Sequence, residues 1–348
     1  MTNLGGQEKM RIKVPKNYKT PLNLRETEVA IKKLKNKFEE NLSEVMNLTR
    51  VSAPLFVIPD TGLNDNLSGH EFPVSFTAPY VTECNVEIVH SLAKWKRMAL
   101  YRYGFQNGEG LYTDMNAIRR EEETSNLHSI YVDQWDWERV ITREDRTQDF
   151  LKEVVGKLFE IFKNMEEFTL SEYPELGEKW LPENIVYITS QELEDKYPNI
   201  TSKEREDAAA KEHGAIFITK IGGVLSSGEK HDGRAPDYDD WDLNGDIIFW
   251  NPLLECSIEL SSMGIRVDSD SLEKQLHISN ALDRLDMQYH KMIKSNELPL
   301  TIGGGIGQSR ICMFFLRKAH VGEVQASIWD EETEKICSEN GINLLYRF

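Results

Sequence analysis

Apolar residues recur at helical spacing in several stretches of the chain, which predicts amphipathic helices. The first begins at a capping pair, Asn23 and Glu26, and ends near Asn47. Its apolar positions are Ile31, Leu34, Phe38, Leu42 and Val45. A second helix has its apolar positions at Phe150, Val154, Leu158, Phe162 and Met165. Further helices are predicted after Ser91, from the capping box of Thr201 to Gly214, and over most of 270–296.

Alternation of apolar and polar residues predicts strands between these helices. The strand-like runs are 84–90, 115–121, 128–138, 185–189, 215–221, 244–251 and 258–266. A further run, 51–58, contains Pro54, which favours a position at the edge of a sheet. Because helices and strands alternate irregularly and several strands form antiparallel hairpins, we predict an α+β fold with a mainly antiparallel sheet.

One predicted strand has a polar face backed by tryptophans. Gln134, Asp136 and Glu138 share one face, and Trp135 and Trp137 lie on the other. A half-exposed surface strand has the same pattern. The alternative is that the polar face forms the floor of a pocket while the tryptophans anchor the strand from behind.

A glycine cluster at 301–307 is followed by Arg310 and an apolar run. Four glycines in five residues predict a ligand-approaching turn rather than a core strand. The following helix would direct free N–H groups at an anion, with Arg310 in its first turn. The lysine of a P-loop is absent from the run, and the dinucleotide fingerprint fits it poorly.

Composition excludes several classes of protein. With 348 residues, 40% of them hydrophobic, the chain can form one large domain or two. A net charge of −17 argues against nonspecific nucleic-acid binding. The four cysteines are scattered, which disfavours zinc sites and disulfides. Neither a membrane span nor a signal peptide is found, so we expect a cytoplasmic protein that contacts no membrane.

Three polar segments have ordinary structural explanations. Lys94, Lys96 and Arg97 are typical of the solvated face of a helix. Asp65, between two asparagines, is typical of an Asx turn. The aperiodic segment 230–241 is a charged loop that could act as a lid.

Six segments together resemble the aspartate-ammonia ligase family, whose fold is that of class II aminoacyl-tRNA synthetase catalytic domains. The segments are 65–69, 90–97, 131–138, 234–241, 259–266 and 301–310. The similarity extends over about 18–329. We therefore expect a polar N-terminal leader at 1–17 and a single catalytic domain at 18–348.

The resemblance implies that ATP and L-aspartate form a β-aspartyl adenylate, which ammonia converts to L-asparagine with release of AMP. Arg119 and Arg310 would be catalytic and bind the nucleotide, together with Glu138. Their guanidinium groups suit the negative charge of the α-phosphate. Mg²⁺ would be held by Asp246 and Glu259, since carboxylates are the hard oxygen ligands that it prefers.

The same resemblance places the amino acid and the ammonia. The ammonium group of aspartate would meet Gln134 and Asp136, and its carboxylates would meet Lys96 and Arg266. Neutral hydrogen bonds would come from Ser91, Ser261 and Ser262. Asp65 and Asp239 are the candidate proton acceptors for ammonia.

Two other functions stay open at this point. A true aspartyl- or asparaginyl-tRNA synthetase would need a tRNA-recognition domain, which the sequence does not suggest. A catalytically silent binding protein would not require so many charged residues in the motifs. Thr2 follows Met1 where an amidotransferase would have a cysteine, so free ammonia is favoured. The first helix and the Pro54 strand resemble the dimer interface of class II synthetases, which predicts a homodimer that binds no nucleic acid.

Overall fold

A computed structural model describes residues 12–65, 67 and 71–346. The helices are α1 (Leu24–Met46), α2 (Ala93–Tyr103), α3 (Gln148–Glu172), α4 (Ser190–Lys196), α5 (Ser202–His213), α6 (Ser269–Ile278), α7 (Gln288–Lys294), α8 (Gln308–Phe315) and α9 (Glu331–Glu339). Short 3-10 helices lie at Pro59–Thr61, Pro174–Leu176, Leu282–Asp286 and Val321–Glu323. No helix among the described residues is long and apolar enough to cross a membrane.

The strands form a large sheet and a small one. They are β1 (Leu48–Arg50), β2 (Phe56–Val57), β3 (Ser75–Thr77), β4 (Asn85–Ile88), β5 (Gly110–Ile118), β6 (Tyr131–Val140), β7 (Val186–Thr189), β8 (Ala215–Thr219), β9 (Asp239–Asn251), β10 (Cys256–Arg266) and β11 (Thr301–Gly307). Within the described ranges, the large sheet has eight strands in the order β1-β5-β6-β11-β10-β9-β8-β7. The small sheet has the order β2-β4-β3.

The predicted α+β fold with a mainly antiparallel sheet is confirmed. The outer pairs of the large sheet, β1 with β5 and β7 with β8, are parallel, and the pairs between them are antiparallel. The run 51–58 does not form one strand, because Pro54 lies between β1 and β2. Each of those two strands is at a sheet edge, where the missing N–H of proline is tolerated.

One face of the large sheet is covered by α1, α3 and α8, which form the main core with the backs of the central strands. Trp135 and Trp137 are fully buried in this core, and Trp135 stacks on Phe38 with ring centroids 4.5 Å apart. The tryptophans therefore anchor β6 from behind, as predicted. The capping box of α1 is present, but Met46 is buried in place of the predicted Val45, which is 44% exposed.

The glycine cluster was wrongly predicted to be outside the core sheet. It forms β11, a central strand between β6 and β10. Glycine is needed there for side-chain room: a Cβ on Gly305 would lie 2.6 Å from Gln134 Oε1 and 2.8 Å from Asp136 Oδ1. A Cβ on Gly303 would collide with the Glu138 carboxylate. The glycines make space for the polar face of the neighbouring strand, which spacing along one strand does not reveal.

The predicted N-terminal leader lies largely outside the described residues, which begin at Ile12. Ile12 is buried, and the Lys13 backbone N–H donates to Asn126 Oδ1 at 2.7 Å. The helical prediction for 270–296 is correct in part, since a 3-10 helix separates α6 from α7.

Candidate active site

A cavity of about 560 Å³ opens over the central strands on the polar face of the large sheet. Five of the predicted site residues line it: Arg119, Gln134, Glu259, Ser262 and Arg310. They come from β6, β10, the start of α8 and the segment just after β5. Residues distant in sequence thus converge because β11 joins the β5–β6 hairpin to the β9–β10 hairpin.

Beneath this cavity lies a group of buried ionised side chains, which we call the charge layer. It consists of Lys96, Asp136, Glu138, Asp239 and Arg266. Lys96 Nζ lies 3.2 Å from Asp136 Oδ2 and donates to the Gly304 carbonyl at 2.9 Å. Arg266 donates to both Glu138 oxygens at 2.8 to 3.1 Å and also pairs with Asp239. Each charge in the layer therefore has an opposite charge beside it.

Burial and pairing act against each other in the charge layer. Burial disfavours the charge of Glu138, but Arg266 and Lys96 together hold the pKa of this carboxyl below its usual value. Burial raises the pKa of Asp239, although Arg266 opposes the shift. It also lowers the pKa of Lys96, against the attraction of Asp136. Asp136 Oδ1 is buried and has no hydrogen-bond partner among the described residues, so one acceptor of the layer is left for a ligand.

The solvated-face interpretation of α2 was wrong. Lys94, Lys96 and Arg97 are 3%, 1% and 1% exposed. Arg97 donates to the carbonyls of Pro299 and Val267, and Lys94 pairs with Asp237. Long cationic side chains reach buried acceptors here, and helical periodicity alone cannot show those acceptors because they are distant in sequence.

Arg119 and Arg310 lie on the wall of the cavity, and their contacts are weaker than those of the charge layer. Arg310 Nη1 donates to the Glu259 carbonyl at 3.0 Å and lies 3.7 Å from its carboxylate. Arg119 Nε is buried without a hydrogen-bond partner in the described part of the chain. Burial, with help from Arg310, Lys203 and Arg119, lowers the pKa of the neighbouring His128 to about 3. These arginines therefore place two guanidinium groups on a wall that also carries carboxylates, among them Glu122 and Glu259.

Arg234 is a third arginine on the cavity wall and belongs to the charged loop predicted at 230–241. Its Nη2 pairs with Asp246 Oδ2 and its Nη1 with Asp232. Burial raises the pKa of Asp246 to about 7; Arg234 opposes the shift, and Glu259 adds to it. Asp246 and Glu259 thus lie close enough to influence each other.

Other predicted residues lie away from the cavity wall. Asp65 is buried, and its Oδ1 accepts from the Leu67 N–H at 2.9 Å, the hydrogen bond of an Asx turn. Ser91 Oγ accepts from the Ala93 N–H at 3.0 Å at the start of α2. Ser261 pairs in register with Ile247 and Ile306, both core residues, whereas Ser262 lines the cavity. Glu138 is fully buried below the cavity.

Several cavity residues were not singled out from the sequence. Arg234, Tyr238, His128 and Glu122 line the cavity but were not proposed as site residues. Burial raises the pKa of Glu122 although Arg119 and Arg310 oppose the shift. The signals available for Arg234 were the density of charge in 230–241 and its place in the resembling segment 234–241.

The described residues contain no cluster of three or more His, Cys, Asp or Glu side chains placed to hold a metal. Two carboxylates, Asp246 and Glu259, are nevertheless near each other, and Asp246 Oδ1 is buried with no partner in the ranges described. This donor set fits Mg²⁺, which uses one or two protein carboxylates together with phosphates and water.

The sequence model of the aspartate-ammonia ligase family matches residues 25–341. Among curated relatives, the aspartate–ammonia ligase of Fusobacterium nucleatum is 64% identical over 94% of this chain and 99% of its own length. The Clostridium tetani aspartate–ammonia ligase is 62% identical over 96% of this chain and 98% of its own.

Solved structures share the fold at low sequence identity. An asparaginyl-tRNA synthetase of Entamoeba histolytica, in complex with asparaginyl-adenylate, has a TM-score of 0.65 and 12% identity. The match covers 87% of this chain and 66% of that one. The asparaginyl-tRNA synthetase of Pyrococcus horikoshii gives a TM-score of 0.63 at 14% identity, covering 87% and 70% of the two chains. The class II synthetase fold and the family resemblance predicted from the motifs are both confirmed, and the chain is an enzyme of the aspartate-ammonia ligase family.

Proposed function

We propose that this enzyme joins L-aspartate to ammonia through a β-aspartyl adenylate formed in the cavity over β6, β11 and β10. In the first step, a β-carboxylate oxygen attacks the α-phosphorus of ATP and pyrophosphate leaves. In the second, ammonia attacks the activated carbonyl, loses a proton, and releases AMP and L-asparagine. The observation that carries this proposal is the pair of guanidinium groups, Arg119 and Arg310, in a cavity whose lining residue Gly305 lies against the buried, charge-paired Asp136.

The arginine wall suits the nucleotide. Negative charge builds up around the α-phosphorus during adenylate formation, and fixed guanidinium donors stabilise it more in a water-poor site than in bulk solvent. Arg310 is held against the Glu259 carbonyl at 3.0 Å, so its direction is set before ATP arrives. Glu138 acts from below the cavity by fixing Arg266, rather than by touching the nucleotide.

The charge layer, which together with Gln134 forms the floor of the site, suits the amino acid. The unpartnered oxygen of Asp136 and the amide of Gln134 lie on the same face of β6, where they can receive an α-ammonium group. Lys96 and Arg266 are each paired with an acidic residue of the charge layer, and their positively charged groups can bind the two carboxylates of aspartate. Ser262, on the cavity wall, can add a neutral hydrogen bond, and the predicted roles of Ser91 and Ser261 stay predictions.

Asp246 and Glu259 would hold Mg²⁺. When bound, the metal would neutralise phosphate charge and orient the α-phosphorus for attack. The protein's own contribution is to keep two carboxylates on neighbouring strands, β9 and β10, with Glu259 on the cavity wall and Asp246 buried and paired with Arg234.

Ammonia reaches the site largely as ammonium, so an anionic acceptor is needed before attack. Asp239 is buried beside Arg266, and burial raises its pKa, which makes it the better base of the two candidates. Asp65 keeps its predicted role as an alternative acceptor, although one of its oxygens already orders the turn.

We further propose a homodimer in the cytoplasm. Large apolar side chains of segment 55–81 are exposed, among them Phe56, Phe72, Tyr80 and Val81. Contiguous exposed apolar side chains favour association with another protein surface. Phe56 lies on β2, within the run 51–58 that is predicted as part of the dimer interface.

The decisive assay adds substrates one at a time. With ATP and aspartate alone, the enzyme should release pyrophosphate in no more than about one equivalent per site, because the adenylate has no acceptor. Ammonia should then make AMP and asparagine release continuous, and tRNA should not. Turnover dependent on tRNA would favour a synthetase, and no aspartate-dependent pyrophosphate would favour a silent binding protein.

A variant separates the two steps. Asp239→Asn should leave the initial pyrophosphate burst nearly intact and slow asparagine formation by about 10²-fold or more, as expected for loss of a general base. Asp65→Asn is the matched comparison. An equal loss of both steps in Asp239→Asn would assign Asp239 to the charge layer alone.

A further inference from the structure

Arg234 holds the carboxylate that a metal ion would use. Its side chain is 12% exposed, and its Nη2 pairs with Asp246 Oδ2. Its Nη1 pairs with Asp232 and donates to the Gly233 carbonyl at 2.9 Å. Asp246 is 6% exposed, and its second oxygen has no partner within the described chain. One oxygen of the Asp246 carboxylate is therefore held by a guanidinium group that lines the cavity, and the other is buried without a hydrogen-bond partner among the described residues.

A guanidinium and a divalent cation compete for the same carboxylate. Both are positive, and at contact distances in a partly buried site they repel each other. A divalent cation bound at Asp246 would therefore displace Arg234 from it. The anion that accompanies the metal gives the released guanidinium a new partner, since arginine binds phosphate oxygens through two parallel hydrogen bonds.

The loop is anchored on both sides of Arg234, so the side chain can move without the backbone. Before it, the buried His231 has its Nε2 3.2 Å from Glu206 Oε1 on α5. After it, Asp237 Oδ2 accepts from Lys94 at 3.2 Å, Arg284 at 3.0 Å and His290 at 3.0 Å. These contacts fix the ends of the seven-residue span 231–237 and allow the Arg234 side chain to change partners.

We propose that Arg234 is a further phosphate-binding residue of this enzyme, kept on Asp246 until metal and nucleotide arrive and then transferred to the pyrophosphate portion of ATP. The proposal rests on the proposed function for the identity of the nucleotide. Arg119 and Arg310 line the cavity with Gln134, near β6 and α8. Arg234 belongs to the loop before β9 and pairs with Asp246 on that strand. The three arginines would thus divide the triphosphate, with Arg234 at the leaving group.

If Arg234 exchanges partners in this way, replacing it should change the affinities for the metal and for pyrophosphate in opposite directions. Arg234→Gln frees Asp246, so Mn²⁺ alone should bind about fivefold tighter, because the competent state of the carboxylate is no longer depleted. The same variant should bind pyrophosphate in the presence of Mn²⁺ about tenfold more weakly, because one charged, bidentate contact is lost. AMP binding should change less than twofold. A purely structural role would weaken all three ligands together.

The experiment is calorimetric titration of the full chain with Mn²⁺, pyrophosphate and AMP, without aspartate, so that no turnover occurs. Arg102→Gln, which removes an exposed arginine from the end of α2, is the control for net charge. Arg234→Lys keeps the positive charge but loses the two parallel donors of the guanidinium group. Its affinity for pyrophosphate should lie between those of wild type and Arg234→Gln. If Arg234→Gln does not fold, Arg234→Met, which also removes the charge, is titrated in its place and decides by the same two signs.

Weaker Mn²⁺ binding by Arg234→Gln, or unchanged pyrophosphate binding, would overturn the proposal. The ligase function is tested separately by asparagine formation in the wild-type enzyme. Failure of that assay would leave the binding comparison intact, and failure of the binding comparison would leave the ligase function intact.

Discussion

The charge layer and the cavity arginines hold the same kinds of charge in opposite ways. In the layer, Glu138 accepts from Arg266 with both oxygens and from Thr301 Oγ1 at 2.7 Å, and all three residues are buried. On the wall, Arg310 is 3.7 Å from the Glu259 carboxylate, and their side chains are 25% and 42% exposed. The charges of the floor are therefore paired within the folded protein, whereas the arginines of the wall keep donors for a bound ligand.

The largest effect should come from breaking the floor. Glu138→Gln leaves Arg266 buried with only Asp239 to neutralise it, so the free energy of unfolding should fall by about 3–5 kcal/mol. Urea unfolding measures this. Arg143→Gln, which removes an exposed pair with Asp268, is the control and should cost about 1 kcal/mol or less. A loss below ~1 kcal/mol for Glu138→Gln would show that the floor is not preorganised by this pair.

Breaking the wall should act on catalysis instead. Arg119→Ala removes a donor aimed into the cavity, and kcat for aspartate-dependent pyrophosphate release should fall by about 10²–10³-fold. The midpoint of urea unfolding should stay near that of wild type, because the Arg119 Nε has no hydrogen bond to lose among the described residues. Destabilisation as large as that of Glu138→Gln would erase the distinction between wall and floor.

Crowding the floor should affect one substrate more than the other. Gly305→Ala places a methyl group 2.6 Å from Gln134 Oε1, so we expect a raised KM for aspartate, an unchanged KM for ATP, and about 1–3 kcal/mol of lost stability. Steady-state kinetics with each substrate varied in turn checks this. Gly223→Ala is the matched control, since nothing lies within 4 Å of its added methyl group. Equal changes in both KM values would contradict the assignment of the floor to aspartate.

The smallest effect, taken per pH unit, should be a pH dependence of stability that reports the surroundings of His128. His128 titrates at about 6.5 when unfolded, whereas its pKa in the folded chain is lowered to about 3 by burial and then by Arg310, Lys203 and Arg119. Only the unfolded state takes up the proton in this window, so stability should fall as pH drops from about 6.5 towards 3. His128→Gln should reduce that slope by at most about 1.4 kcal/mol per pH unit.

Unfolding at several pH values measures this slope. His277→Gln, at an exposed position in α6, should leave it unchanged. A slope that is identical in wild type and His128→Gln would mean that the wall does not hold His128 neutral.

Much of the fold followed from local signals. The capping boxes of α1 and α5, the period of α3, and the opposite faces of β6 depend on neighbours within a few residues, and the structure has all of them. The motif resemblance supplied the family. The predicted polar pocket floor corresponds to Gln134 and the residues below it.

The predictions that were wrong concern contacts between segments that are distant in sequence. Gly303 and Gly305 of β11 are explained by side chains of β6, more than 160 residues earlier in the chain, and Gly304 by close contact with β10. Lys94 is buried because Asp237 is there to receive it. Arg234 gave no periodic signal, since its position is set by the packing of a loop against β9. Periodicity along one element cannot report what the opposite element supplies.

The position of β11 also bears on synthesis of the chain. The β5–β6 and β9–β10 hairpins can each form from nearby residues, but both present an unpaired inner edge until residues 301–307 insert between them. Such edges are templates for intermolecular pairing. On the ribosome, the nascent chain must therefore be almost fully translated before its two halves close, and a truncation before β11 should yield aggregates rather than a smaller folded enzyme.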